Sequence, residues 1–177
     1  MSTGPRLPLA EAQRLSALIT HILRPVCDRV EVAGSIRRKS VDCGDVELVA
    51  IPKVRYNLLG EPFWSAGEIE DALYQAGYRF TKNGEHFKQF DLGPCMCDLF
   101  ITTPEKFGAI YLIRTGPFEF SARIVTSKAH GGHMPSYLKE KDGRIVHRET
   151  GQVYDTPEEE DYFRVIGLKF IPPEKRI

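Results

Sequence analysis

The chain has 177 residues, enough for one sizeable hydrophobic core or two small ones, and its 42% hydrophobic and 27% charged content is that of an ordinary globular protein rather than a disordered one. Its 24 basic and 24 acidic residues balance to a formal charge of zero, so any nucleic-acid contact must come from local clustering of charge and not from an overall basic excess. No window reaches about eighteen uninterrupted apolar residues and no basic-then-apolar leader is present, so an intracellular, cytoplasmic protein with no membrane span is expected.

Leu15, Leu18, Ile19, Ile22 and Leu23 recur at helical spacing and predict an amphipathic helix over about residues 8–24, ended by Pro25. Short strands follow at Val30–Val32 and Asp45–Ile51, with a turn or a single helical turn between them. Residues 52–64 read as a loop, and Ser65 is placed to cap a helix to Ala76, where Gly77 stops it. Tyr78–Thr81, Phe87–Phe90 and Met96–Ile101 read as strands of one mixed or antiparallel sheet, turning at Asn83-Gly84 and Leu92-Gly-Pro94. After Thr115-Gly116 the pattern changes to a helix over about residues 118–129, a break at Gly131-Gly132, a hairpin around Lys141-Asp-Gly143 and a helix over about 157–166. The acidic run Glu158-Glu-Glu-Asp161 after Thr156-Pro157 reads as the negative first turn of that last helix, not as a metal site. The expected fold class is α+β, with one domain over residues 1–115 and a small α+β domain over 116–177. Cys27, Cys43, Cys95 and Cys97 lack zinc-finger spacing and are expected as reduced thiols.

The chemistry concentrates in Val32-Ala-Gly-Ser-Ile-Arg-Arg38 and Gly44-Asp-Val-Glu-Leu-Val-Ala-Ile51. Gly34 permits a tight turn after a short strand, Ser35 then stands where a helix would start, and Arg37 and Arg38 supply positive charge, together a cradle for phosphate. Asp45 and Glu47 alternate with Val46 and Leu48, so the two-residue period puts both carboxylates on one side of a strand. Paired carboxylates repel unless a cation lies between them, and two Mg²⁺ ions about 3.5–4 Å apart call for a third carboxylate, for which Asp98 is the candidate. Singly, a Gly-Ser helix cap, a solvated Arg-Arg face and an exposed Asp-Val-Glu strand edge are all common; it is their order and spacing that point to a two-metal nucleotidyltransferase.

Gly34-Ser-Ile-Arg-Arg38, Gly44-Asp-Val-Glu47 and Cys97-Asp-Leu-Phe-Ile101 resemble the palm of family X DNA polymerases. Thr103-Pro-Glu-Lys-Phe-Gly108 and Ile113-Arg-Thr-Gly116 are similar to the segment joining palm to thumb, and Gly167-Leu-Lys-Phe-Ile-Pro-Pro-Glu-Lys-Arg176 to the end of the thumb. The glycine-serine and paired-acid motif is shared by the wider nucleotidyltransferase superfamily; the later segments narrow the resemblance to polymerases. It implies that Asp45 and Glu47 ligate both metals, and that Asp98 holds the catalytic metal and takes the proton of the primer 3′-hydroxyl. It implies further that Gly34, Ser35, Arg38, the Gly44 backbone, Thr115, Gly116 and, more weakly, Arg37 contact the nucleoside triphosphate. Apart from the resemblance, Asp91 and Glu85 are unrelated carboxylates available for a supporting role.

The chain departs from the family pattern in three places. Glu47 stands where members usually carry Asp, and its extra methylene is expected to lower activity or favour Mn²⁺, since Mg²⁺ tolerates little departure from octahedral geometry. Ile113-Arg114 replaces an aromatic pair that helps exclude a ribose 2′-hydroxyl. The roughly 30 residues before the palm cannot hold the helical lyase and fingers domains, so a minimal palm-plus-thumb form is expected, as in reduced viral members. The implied partner is gapped or primer-template DNA, gripped by a monomer through Arg123, Lys128, Lys139 and Arg144 of a locally basic stretch, and a viral or nucleoid-associated location is compatible with this reading. A template-independent enzyme that modifies RNA or protein is the alternative.

Overall fold

In the computed structural model, which describes residues 6–176, a two-residue strand β1 (Leu7–Pro8) leads into helix α1 (Leu9–Leu23), whose Ala12, Leu15, Ile19 and Leu23 are buried. Of the stripe read from the sequence, Leu15, Ile19 and Leu23 are buried and Ile22 packs against the same core, Ala12 extends the stripe by one turn, and Leu18 falls outside it and is exposed. Strand β2 (Cys27–Val32), the single helical turn α2 (Gly34–Arg37), β3 (Asp42–Cys43) and β4 (Val46–Pro52) follow, with β3 pairing antiparallel to β1. Where the sequence reads as a loop over residues 52–64, the chain instead forms a hairpin of β5 (Val54–Tyr56) and β6 (Pro62–Trp64). Asn57 closes it by accepting the Leu59 and Glu61 N–H groups on Oδ1 at 2.9 Å each, so a side chain does what a Gly-rich turn would otherwise do.

Helix α3 (Gly67–Gln75) comes next, and the Ser65 hydroxyl accepts the Gly67 N–H at 3.2 Å. Strands β7 (Phe80–Asn83), β8 (Phe87–Asp91) and β9 (Met96–Ile101) complete a five-stranded sheet of order β2-β4-β9-β8-β7. Its neighbours are antiparallel except β4 and β9, which run parallel, so the sheet is mixed. One face carries Val46, Leu48, Ala50, Cys97 and Leu99 into a core shared with α1 and α3. Each fully buried leucine there contributes about 1.5–3 kcal/mol. The alternation then sends Glu47 and Asp98 to the opposite face.

Lys88 on β8 is fully buried, which its residue type does not announce. Its ammonium donates to Glu70 Oε1 and Asn83 Oδ1 at 2.5 Å each and to Gly84 O at 3.2 Å, tying α3 to the β7–β8 turn. The Glu70 carboxyl is held below the usual carboxylate range, chiefly by this hydrogen bond. All four cysteines are free and buried; burial pushes the Cys27 thiol up to about 12 and Cys95 up to about 11, so neither is a reactive thiolate.

Contacts divide the chain into two units, residues 1–103 and 104–177. The change of pattern read near residue 115 falls at the end of helix α4 (Phe107–Thr115), which follows a 3₁₀ turn at Pro104–Lys106. Helix α4 belongs to the second unit because Gly108 donates its N–H to Thr156 O at 2.7 Å, an approach so close that a Cβ there would stand 2.1 Å from Glu158 O. Helix α5 (Phe118–Val125) stops short of the predicted residue 129, since the Thr126 hydroxyl turns back onto Ala122 O at 2.7 Å and Ser127 caps a separate 3₁₀ turn, Lys128–His130. Strands β10 (Leu138–Lys141) and β11 (Arg144–His147) form the expected hairpin through Asp142 and Gly143, both at positive φ, and β12 (Val153–Tyr154) adds a third strand.

Helix α6 (Glu159–Ile166) opens with Asp161 accepting the Glu158 N–H at 2.9 Å, so the acidic run is helix-start chemistry in part. Glu159 does something else: it turns inward and pairs with buried Arg176 at 2.8 Å. Leu112, Phe120, Ile124, Leu138, Ile145, Tyr162, Phe163 and Ile166 form this unit's core. The fold class is α+β throughout, as expected.

Candidate active site

Strand β2 ends at Val32 and the chain reverses at Ala33, whose N–H donates to Glu47 O at 2.8 Å. That bond lays the start of α2 directly on β4. Gly34 has φ +61°, and a Cβ at this position would lie 2.0 Å from Glu47 Oε2. Glycine is therefore required twice, for its backbone conformation and for the room it leaves the glutamate side chain. Gly34→Ala is expected to cost about 1–2 kcal/mol for the left-handed backbone, read as a fall in melting temperature. Adding Glu47→Ala should leave most of that loss in place; full recovery would assign the cost to the side-chain collision alone.

Ser35 Oγ is buried and has no hydrogen-bond partner in the protein. A buried hydroxyl left unpaired is costly, and here it lies on the turn that the sequence marks as a phosphate cradle. Arg37 and Arg38 follow on the same turn, both half-buried, and Arg38 is close enough to act electrostatically on Asp45.

The parallel pairing of β4 and β9 sets Glu47 opposite Asp98 in register. Asp45 stands two residues before Glu47 at the entrance of β4, after the half-buried Gly44. Its carboxyl is raised above the usual range, first by burial and then by the Asp98 charge, while Arg6 and Arg38 pull it down. Asp45 and Asp98 thus repel each other, the electrostatic condition that a cation relieves. Cys95 accepts the Val46 N–H between Asp45 and Glu47, and Gln89 Nε2 donates to Asp98 Oδ1 at 2.8 Å. Neither contact is signalled by the sequence, in which Cys95 is expected only as a reduced thiol and Gln89 falls inside a predicted strand.

Among the described residues, no three His, Cys, Asp or Glu side chains converge closely enough to form a metal cage. The Asp45–Asp98 pair with Glu47 beside it nevertheless fits Mg²⁺ chemically, because that ion commonly takes one or two carboxylates and completes its shell with water and substrate phosphates. Two open clefts of about 520 and 430 Å³ lie in the first unit beside the β5–β6 hairpin and α3. Neither is lined by Asp45, Glu47 or Asp98.

In the second unit, Thr115 is buried with its hydroxyl donated to Tyr111 O at 2.7 Å, and Gly116 follows at φ +65° before a cis bond to Pro117. The Thr115 side chain is thus committed to its own helix. Arg123 and Lys128 are exposed and Lys139 is half-buried. Arg144 is held by Glu105 at 2.6 Å, which joins β11 to the start of the unit, and by Asp155 at 3.6 Å, just after β12. Asp91 and Glu85 are exposed, and Asp91 accepts the Gly93 N–H at 2.7 Å in a local turn. Among the described residues no helix is long and apolar enough to cross a membrane.

No family model matches the chain. It is 26% identical over 193 residues to DNA polymerase lambda of Rattus norvegicus, a match covering 97% of this chain and 32% of that protein. The chain spans 32% of the length of this curated relative. The match makes it a distant relative of a family X DNA polymerase.

Proposed function

We propose that the chain is a metal-dependent nucleotidyltransferase of the DNA polymerase type, adding deoxynucleotides to a primer 3′-hydroxyl in gap filling. The observation that carries this reading is the parallel register that sets Glu47 beside Asp98, with Asp45 two residues upstream and raised by the Asp98 charge. The distant similarity to DNA polymerase lambda, extending over 97% of the chain, supports it.

Asp45, Glu47 and Asp98 would hold divalent magnesium, with manganese as the substitute that a glutamate ligand favours. Such ions, when bound, lower the pKa of the attacking hydroxyl and balance the charge of the departing pyrophosphate. The chain's own groups do the remainder. Asp98 accepts the hydroxyl proton, and Ser35 donates its unpaired hydroxyl to a phosphate oxygen. Gly34 lets the phosphates approach the backbone, and Arg37, Arg38 and the Gly44 backbone oppose their charge. Arg123, Lys128 and Lys139 are the DNA-backbone contacts, and Arg144 adds least, because its single positive charge already faces two carboxylates.

Labelled-nucleotide incorporation tests the reading, run with Mg²⁺ and with Mn²⁺ on a gapped duplex, a single strand and no nucleic acid. Templated incorporation on the gap is expected. Labelling of a single strand or of protein would move the assignment to the template-independent alternative, and no incorporation under any condition would overturn it.

A further inference from the structure

The hydrogen bond from Gln89 to Asp98 does not stand alone. Gln89 and Asp98 are register partners on β8 and β9, and the Gln89 amide Nε2 reaches Asp98 Oδ1 at 2.8 Å. An ionised carboxylate only accepts hydrogen bonds, so the amide must turn its nitrogen toward Asp98 and its oxygen away. That oxygen meets the Thr81 hydroxyl at 3.1 Å, and the same hydroxyl lies 3.1 Å from the Gln89 carbonyl. Thr81 is where the β7–β8 pairing slips: Phe80 pairs with Phe90 and Lys82 with Gln89, which leaves Thr81 as the extra residue of a bulge. A bulge re-aims a side chain that regular alternation would send elsewhere. Here it puts a hydroxyl donor against the oxygen of the amide that holds Asp98.

We propose that Thr81 and Gln89 are positioning residues for Asp98, a brace across three strands in which the Thr81 hydroxyl fixes the Gln89 amide and the amide fixes Oδ1 of Asp98, leaving Oδ2 to face a bound divalent cation. The proposal rests on the reading that Asp98 belongs to the metal-bearing site. A carboxylate fixed by a hydrogen-bond partner is pre-oriented as a ligand, and removing such partners typically weakens metal binding by about 10–100-fold.

The test is Mn²⁺ binding, measured by titration calorimetry on the full chain without nucleotide or DNA. Gln89→Leu should weaken Mn²⁺ about tenfold or more. Thr81→Val, an exposed isosteric change that keeps the β-branch and removes the hydroxyl, should weaken it about threefold or more, and Thr81→Ser, which restores the hydroxyl, should recover most of that loss. A merely structural role would lower the melting temperature without separating Val from Ser at position 81. Binding within twofold of wild type in Gln89→Leu, alongside clear weakening in Asp98→Asn, would overturn the brace and leave the reading of the site intact. Equal weakening by Val and Ser at position 81 would remove Thr81 from the brace. No Mn²⁺ binding by the wild type, or unchanged binding in Asp98→Asn, would remove the reading and the brace together.

Discussion

Asp98→Asn is expected to lower nucleotide transfer by about 10²–10⁴-fold while leaving the melting temperature and DNA affinity near those of the wild type. The substitution removes one negative charge and the carboxylate proposed above as proton acceptor, yet keeps the shape of the side chain. The asparagine carbonyl can still accept from Gln89 Nε2, so the 2.8 Å contact across β8 and β9 need not be lost. The core neighbours Cys97 and Leu99 lie on the other face of the strand and are untouched. The same change should let the Asp45 carboxyl titrate lower, because Asp98 is one of the two causes that raise it. Turnover comparable to the wild type would sink the assignment of Asp98, whatever the fate of the other carboxylates.

The second large effect is on stability. Arg176 donates to Glu159 at 2.8 Å and twice to Ile171 O, at 3.0 and 2.8 Å, with its guanidinium 5.3–5.8 Å from the rings of Phe120, Phe163 and Phe170. Both members of the ion pair are buried. Glu159→Ala would leave a cation among three aromatic rings with no counter-charge, and the expected cost is about 3–5 kcal/mol. Glu159→Leu combined with Arg176→Met removes both charges and should recover much of it, since a buried pair replaced by apolar groups of similar volume is often neutral. The chain's single tryptophan, Trp64, lies in the first unit, so the loss should be followed by amide exchange at Tyr162, Phe163 and Ile166 rather than by tryptophan fluorescence. A cost below about 1 kcal/mol would put the pair in the class of solvent-screened surface contacts.

Periodicity carried the parts of this fold that are periodic. The stripe from Leu15 to Leu23 appears as α1, and the alternation around Asp45 to Ile51 and Met96 to Ile101 appears as β4 and β9, with the two acids on the face opposite the core. The β5–β6 hairpin was not legible because its strands are three residues each, too short for alternation to register, and its turn is closed by the Asn57 side chain instead of a glycine pair. Nothing local marks Lys88 or Arg176 as a buried cation, or Glu159 as more than a helix-start acid; their pairings join residues 18 and 17 positions apart. Gln89 and Thr81 were invisible for a related reason. Their role depends on a strand register and a bulge, neither of which is written in residue type.

The parallel pairing of β4 with β9 also decides when in the life of the chain the acids can come together. Val46 to Ala50 pair with Cys97 to Ile101 across a separation of about fifty residues, a closure whose entropy must be lost before its contacts reward it. The helix α1 and the β8–β9 hairpin can form from neighbouring residues as synthesis proceeds. Glu47 can meet Asp98 only after β9 has emerged from the ribosome, so the region of like charge is assembled late. By then Leu48 and Leu99, on the buried face of the same two strands, are both present to offset the repulsion.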